Sequence, residues 1–164
     1  MIRIEDAIEV EAPAERTFAV VTRVEEFPDW LPGVLRAERV GADGDGHAGD
    51  DETPGPPAPG TRFHLVSAGP GGIQASALGR VEAINPPRSI AISASSGLFR
   101  LAATCTVEAL APDRSRVAVT AELEPLGLAR FAAGRIAQEL RAATPDALGR
   151  LRTAAEVEDA AAEG

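Results

Sequence analysis

The sequence predicts an α+β protein in which an antiparallel β-sheet packs against a long C-terminal helix. Two observations lead to this prediction. From residue 62 to residue 123, short segments alternate apolar and polar residues as half-buried strands do, and turn residues separate them. Apolar residues then recur at helical spacing over 126–153. A sheet with one apolar face needs a cover on that face, and the terminal helix is the sizeable candidate.

The first strand is predicted at 2–10, where isoleucine and valine alternate with charged residues. Asp6 is the exception, because the alternation places it on the apolar side. A buried carboxylate is costly unless it is paired. Asp6 is therefore either an inward functional carboxylate or a residue at the sheet edge that forms a salt bridge with an arginine.

A short helix of about ten residues should follow, with Pro13 in its first turn and its end near Arg23. Pro28 and Pro32 prevent a continuous helix through the next stretch, EEFPDWLPGV, which holds Trp30, the only tryptophan of the chain. A second strand of mixed pattern is predicted at 33–41.

The segment 42–59 is rich in acids, glycine and proline and lacks large aliphatic side chains, so it predicts a mobile loop. The sequence AGPGG at 68–72 predicts a hairpin turn. We expect one domain over 1–153, followed by a disordered tail at 154–164.

The inward positions of the predicted sheet are small. Alanine or glycine at these positions either draws a covering helix close or leaves space for a ligand. The positions are Ala75, Ala77, Gly79, Ala83, Ala94, Ala103 and Ala121.

The C-terminal helix should present an apolar stripe that includes Phe131, Ile136 and Leu140. Pro145 removes a helical amide, so we expect a kink there, with Thr144 able to cap a restarted segment.

Composition excludes several classes of function. The formal charge of −9 and the isoelectric point near 4.7 argue against nucleic acid, because phosphate binding needs a cationic surface. No stretch approaches the length of an apolar membrane span, so we expect a cytoplasmic protein. All 16 basic residues are arginine, a usage typical of high-GC bacterial genomes.

Few residues of the sequence are candidates for catalysis or metal binding. No motif of a catalytic nucleophile, a metal site or a phosphate-binding loop is present. His47 lies in the acidic loop, where a calcium-type spacing lacks its glycine and its glutamate. His64 should face solvent, and Cys105 should be a small core residue. Arg135 lies either on a solvated helix face or at a cavity mouth. We therefore predict no catalytic residue, no metal and no cofactor.

Three segments together resemble the START-related (SRPBCC) superfamily of polyketide cyclases, lipid-transfer proteins and coenzyme Q-binding proteins. They are VEAPAERTFAVVTRVEEFPDWLPGV at 10–34, GRVEAINPPRSIAI at 79–92 and the long terminal helix. The resemblance implies a helix-grip fold, in which a curved seven-stranded antiparallel sheet wraps around the last helix and encloses a cavity. Trp30 and Phe27 would then plug one end of the sheet, and part of the indole could form the pocket floor.

The resemblance and the small inward residues predict a site for a small hydrophobic molecule such as a lipid, a quinone or a polyketide. A non-catalytic carrier or sensor is the leading hypothesis. An aromatase or cyclase acting on a polyketide and an interaction protein with an exposed cavity mouth are the alternatives. The expected ligand-binding residues are Trp30, Phe63, Leu65, Ala77, Ile92, Leu101, Ala103, Val119, Phe131, Ile136 and Leu140.

Overall fold

The structure of the protein, a computed structural model, describes residues 1–31, 33–40, 57–68 and 74–163. Seven strands form one antiparallel sheet in the order β1-β7-β6-β5-β4-β3-β2. The strands are β1 (Ile2–Val10), β2 (Val34–Arg39), β3 (Arg62–Ala68), β4 (Gln74–Asn85), β5 (Ser89–Ser95), β6 (Phe99–Ala111) and β7 (Arg114–Pro125). The expected acidic loop and hairpin turn fall largely outside the described residues, and His47 does so entirely.

The helices lie where a helix-grip fold requires them. Two short helices, α1 (Ala14–Val21) and α2 (Phe27–Trp30), follow the first strand, with a 3-10 turn between them. The long helix α3 (Ala133–Glu163) ends the chain and packs against β1, α1 and α2. The predicted α+β helix-grip architecture is thus confirmed.

A β-bulge in β4 changes the face on which some predicted inward residues lie. The pairing of β4 with β5 shifts between Val81 and Ala83, so one extra residue interrupts the alternation. Val81 is fully buried and Ile84 faces the core, whereas Ala83 is exposed. The prediction that Ala83 points inward is therefore wrong.

The chain enters the last helix later than the sequence pattern indicates. Residues Gly127–Ala132 form a 3-10 segment, and α3 begins only at Ala133. Because a 3-10 segment has a different period from an α-helix, Phe131 leaves the apolar stripe of α3. Its side chain is 89% exposed, so its predicted place opposite the sheet is wrong.

The predicted disordered tail is also wrong, since α3 continues to Glu163. Within the segment from residue 154 onward, Ala155 is fully buried. Three acidic side chains of the same segment contact residues near the start of the chain. Glu158 pairs with Arg23, Asp159 pairs with Arg16, and Glu156 accepts a hydrogen bond from the backbone amide of Glu11. These contacts between distant residues order a segment whose alanine-rich and acidic sequence has no strong local signal.

Helix α3 runs through Pro145 as one element and does not restart there. Thr144 does not cap a new segment, because its hydroxyl donates to the Leu140 carbonyl one turn earlier, at 2.6 Å.

Candidate functional site

The inward face of the sheet carries two separate apolar clusters. The larger one contains Trp30, Phe63, Leu65 and Ala77, all of them buried, and it lies under the short helices and the C-terminal half of α3. The smaller one joins Ile2 and Ile4 of β1 to Ala137 of α3. Partly buried side chains border each cluster. They include Ile92, Leu101 and Val119 at the larger cluster, and they are Ala121, Leu123, Ile136 and Leu140 at the smaller one.

Ala103 lies between these borders. In the sheet register it is opposite Ile92 on one side and Ala121 on the other, so it connects the margins of the two clusters. Its own side chain is half-buried and belongs to neither cluster. The sheet position between the two clusters is therefore occupied by an alanine, Ala103.

The predicted ligand-binding residues thus divide into three groups. Ile92, Leu101, Ala103, Val119, Ile136 and Leu140 are half-buried at or between the margins of the two clusters, and we call these six residues the inner strip. Trp30, Phe63, Leu65 and Ala77 are no more than 6% exposed and belong to the core. Phe131 lies away from both groups, on the 3-10 segment before α3.

Trp30 is packed as a plug at one end of the sheet. Its ring meets that of Phe27 edge-on, and Phe27 meets Phe63 in the same way, with ring centroids 5.9 Å apart in each pair. Within the described residues its indole Nε1 has no hydrogen-bond acceptor. Pro28 thus lies in a short helix that delivers two aromatic rings to the core.

Gly79 does not leave space for a ligand, although it is one of the small inward residues. A Cβ atom there would lie 2.1 Å from Cε2 of the Phe63 ring. Phe63 is fully buried on the neighbouring strand and pairs with Gly79 in the register. At this position, therefore, a small residue makes room for a core side chain.

The titratable groups show little sign of reaction chemistry. Burial raises the pKa of Cys105 to about 12, so the thiol stays protonated at neutral pH, as expected of a core residue. Arg135 pairs with Glu139 on an exposed face of α3. His64 is half-buried between the buried Phe63 and Leu65, on the opposite side of β3. No group of three metal-ligating side chains occurs among the described residues.

Two further concavities occur among the described residues, and the lining of the first includes Leu101 of the inner strip. A groove of about 590 Å³ lies mainly on the outer face of the sheet, around the exposed Leu78 and the Arg80–Glu82 ion pair. Its charged and open lining suits solvent better than an apolar ligand. A smaller cleft of about 350 Å³ lies between β1 and α3, where Asp6 faces Arg141 and Thr144. The sequence pattern identified Asp6 as unusual but contained no signal for the two helix residues that line the same cleft.

Comparison with known proteins places the chain in a family. A family model described as "Polyketide cyclase / dehydrase and lipid transport" matches residues 1–156. A comparison with curated protein sequences finds no significant match. In the part of the chain that the structure describes, no helix is long and apolar enough to cross a membrane.

Solved structures share the fold at low sequence identity. The protein TTHA0849 from Thermus thermophilus superimposes with a TM-score of 0.71 at 15% identity, over 95% of this chain and 98% of that one. The Zhui aromatase/cyclase from Streptomyces sp. R1128 gives 0.66 at 17% identity, over 94% and 93% of the two chains. A START superfamily protein from Mycobacterium smegmatis gives 0.63 at 16% identity, over 97% of each chain. With this fold and a family model that matches nearly its whole length, the chain belongs to the polyketide cyclase/dehydrase and lipid transport family.

Proposed function

We propose that the protein binds a small apolar molecule at the inner strip, between strands β5 to β7 and the N-terminal half of α3. The observation that carries the proposal is the gap between the two apolar clusters. Side chains as apolar as Ile92, Leu101 and Leu140 stay half-buried there, although each belongs to the inward face of the protein. An apolar ligand would complete the burial that the protein's own side chains leave unfinished.

The energetics favour a ligand with few polar groups. Apolar area removed from water contributes about 25 cal/mol per Å², and association and ordering offset part of that gain. The inner strip consists of aliphatic side chains alone, so burial supplies most of the affinity. A lipid, a quinone or a polyketide-like ring system matches this chemistry, and micromolar binding requires no charged contact.

The alternative function is that of an aromatase or cyclase, and the structural likeness to the Zhui aromatase/cyclase favours considering it. Such a reaction needs groups that move protons at the bound ligand. On the described inward face, Cys105 is held protonated and Asp6 lies at the edge strand, in the cleft beside α3. These two titratable groups support a binding function more than a catalytic one.

The test is one substitution made on the two faces of the same strand. Ala103→Phe should fill the gap and weaken ligand binding by about tenfold or more. The neighbouring Ala102 is exposed and points to the outer groove, so Ala102→Phe introduces the same ring on the opposite face. Binding would be followed by Trp30 emission and by thermal shift, with fatty acids, quinones and polycyclic aromatic compounds.

The two variants separate the possible outcomes. If Ala103→Phe alone loses binding and stays folded, the inner strip is the site. Loss of binding in Ala102→Phe alone would place the site in the outer groove and refute the proposal. The proposal also fails if no compound stabilises the wild-type protein.

A further inference from the structure

The contact between β1 and α3 has a polar break in its middle. The inward face of β1 is formed by isoleucine and valine except at Asp6. On one side of Asp6, Ile4 belongs to the smaller apolar cluster, and on the other side Ile8 packs against the larger one. Opposite Asp6, helix α3 presents Arg141 and Thr144, and these residues line the cleft of about 350 Å³.

The cleft contains one anion and one cation that are not paired. Asp6 Oδ1 accepts a hydrogen bond from the amide of the next residue, Ala7, at 2.8 Å. Among the described residues, neither Asp6 nor Arg141 takes part in a salt bridge, with the other or with a third residue. The other two charged residues of the cleft, Arg3 and Glu5, pair with each other at its rim.

Helix α3 has an irregular hydrogen-bond pattern at Arg141, an exposed residue that lines the cleft. Pro145 has no amide hydrogen, so the Arg141 carbonyl lacks the donor that the helix would otherwise supply. The Thr144 hydroxyl gives its hydrogen to Leu140 and keeps its lone pairs available. The cleft therefore combines the Asp6 carboxylate, which accepts hydrogen bonds, with the Arg141 guanidinium, which donates them.

We propose that this cleft is a second binding site, distinct from the inner strip, and that it takes a small zwitterion. The ammonium group of the ligand would bind the Asp6 carboxylate, and its carboxylate would bind the Arg141 guanidinium. A simple cation would meet the unpaired charge of Arg141, and a simple anion would meet that of Asp6. A molecule with both charges satisfies both groups.

The position of Asp6 supports a functional role. Asp6 interrupts the apolar face of β1 between the two clusters, where an apolar residue would bury more apolar area than aspartate does. Residues that break a local pattern in this way are expected at functional sites.

The test is calorimetric titration of the full chain with glycine, β-alanine and γ-aminobutyrate, in which the two charges lie at increasing separation. Propylamine and propionate carry one charge each and serve as half-molecules. We expect one zwitterion to bind about tenfold or more tightly than either half-molecule, because each charged hydrogen bond is worth about that factor. Asp6→Asn and Arg141→Gln should each reduce the affinity by about tenfold or more.

Matched controls are available on the same elements. Glu9→Gln changes an exposed carboxylate of β1, and Arg135→Gln changes an exposed guanidinium of α3, both outside the cleft. Each should alter the affinity by less than about twofold. Asp6→Leu should abolish binding while raising the Tm, which shows that the loss is not unfolding. The proposal is overturned if no zwitterion binds below about 10 mM, or if the half-molecules bind equally well.

Discussion

The stability of the protein should fall as the pH rises above 9, and one thiol should cause the fall. Cys105 is 8% exposed, and burial raises its pKa from 9.0 to about 12. In the unfolded chain the thiol has its ordinary pKa, so the unfolded state releases its proton first. Below pH 9 both states are protonated and the free energy of unfolding is unaffected. Between the two pKa values it should fall by about 1.4 kcal/mol per pH unit.

The composition of the chain makes this prediction easy to isolate. The chain has no tyrosine, and all 16 basic residues are arginine, which stays protonated in this range. Cys105 is also the only cysteine. From about pH 9 to about pH 11, the loss should therefore reach about 2 to 3 kcal/mol.

The assay is urea unfolding at a series of pH values from about 8 to about 11, followed by the emission of the buried Trp30. Cys105→Ala should cost about 1 kcal/mol at pH 8 and then show no further loss with pH. If the wild type and Cys105→Ala lose stability in parallel, the thiol is not the cause. A wild type whose stability does not change with pH would show that the folded thiol titrates normally.

Two further predictions concern packing. Gly79→Ala should destabilise the protein by about 1 to 3 kcal/mol, because the new methyl group overlaps the enclosed Phe63 ring. Gly149→Ala, where nothing lies near the added carbon, should be neutral or stabilising by up to about 1 kcal/mol; equal effects in denaturant unfolding would contradict this reasoning. Deleting residues 154–164 should lower stability by about 2 kcal/mol or more, since the buried Ala155 and the ion pairs of the last turns are lost. An unchanged urea midpoint in the shortened protein would show that the last turns of α3 contribute nothing to stability.

The strands were predictable because their signal is local. The alternation of apolar and charged residues is set by the direction of successive side chains along a strand, and it requires no knowledge of the partner strand. For the same reason, the buried Cys105 and the inward position of Asp6 could be assigned from their neighbours in sequence. The order of elements then indicated a sheet covered by the last helix, and the resemblance of residues 10–34, residues 79–92 and that helix to the START-related superfamily implied the helix-grip fold.

The candidate site was predictable only in part. Ile92, Leu101 and Leu140 lie on the faces that their spacing indicates, the first two beside the larger apolar cluster and Leu140 beside the smaller one. Phe131 does not lie on its predicted face, because a 3-10 segment before α3 changes the helical period at that point. The need for glycine at position 79 could not be predicted from neighbouring residues, because the Phe63 ring that fills this space comes from another strand.

The class of fold, the order of its elements and the face on which most strand residues lie can all be inferred from the amino-acid sequence. These properties depend on periodicity and on local backbone preference, which neighbouring residues encode. Three features become visible only in the folded chain: the bulge in β4 exposes Ala83, the last turns of α3 are docked, and the apolar core is divided into two clusters with Asp6 at the break. Those features depend on which distant side chains meet, because packing and charge pairing act between residues that are neighbours in space and not in sequence.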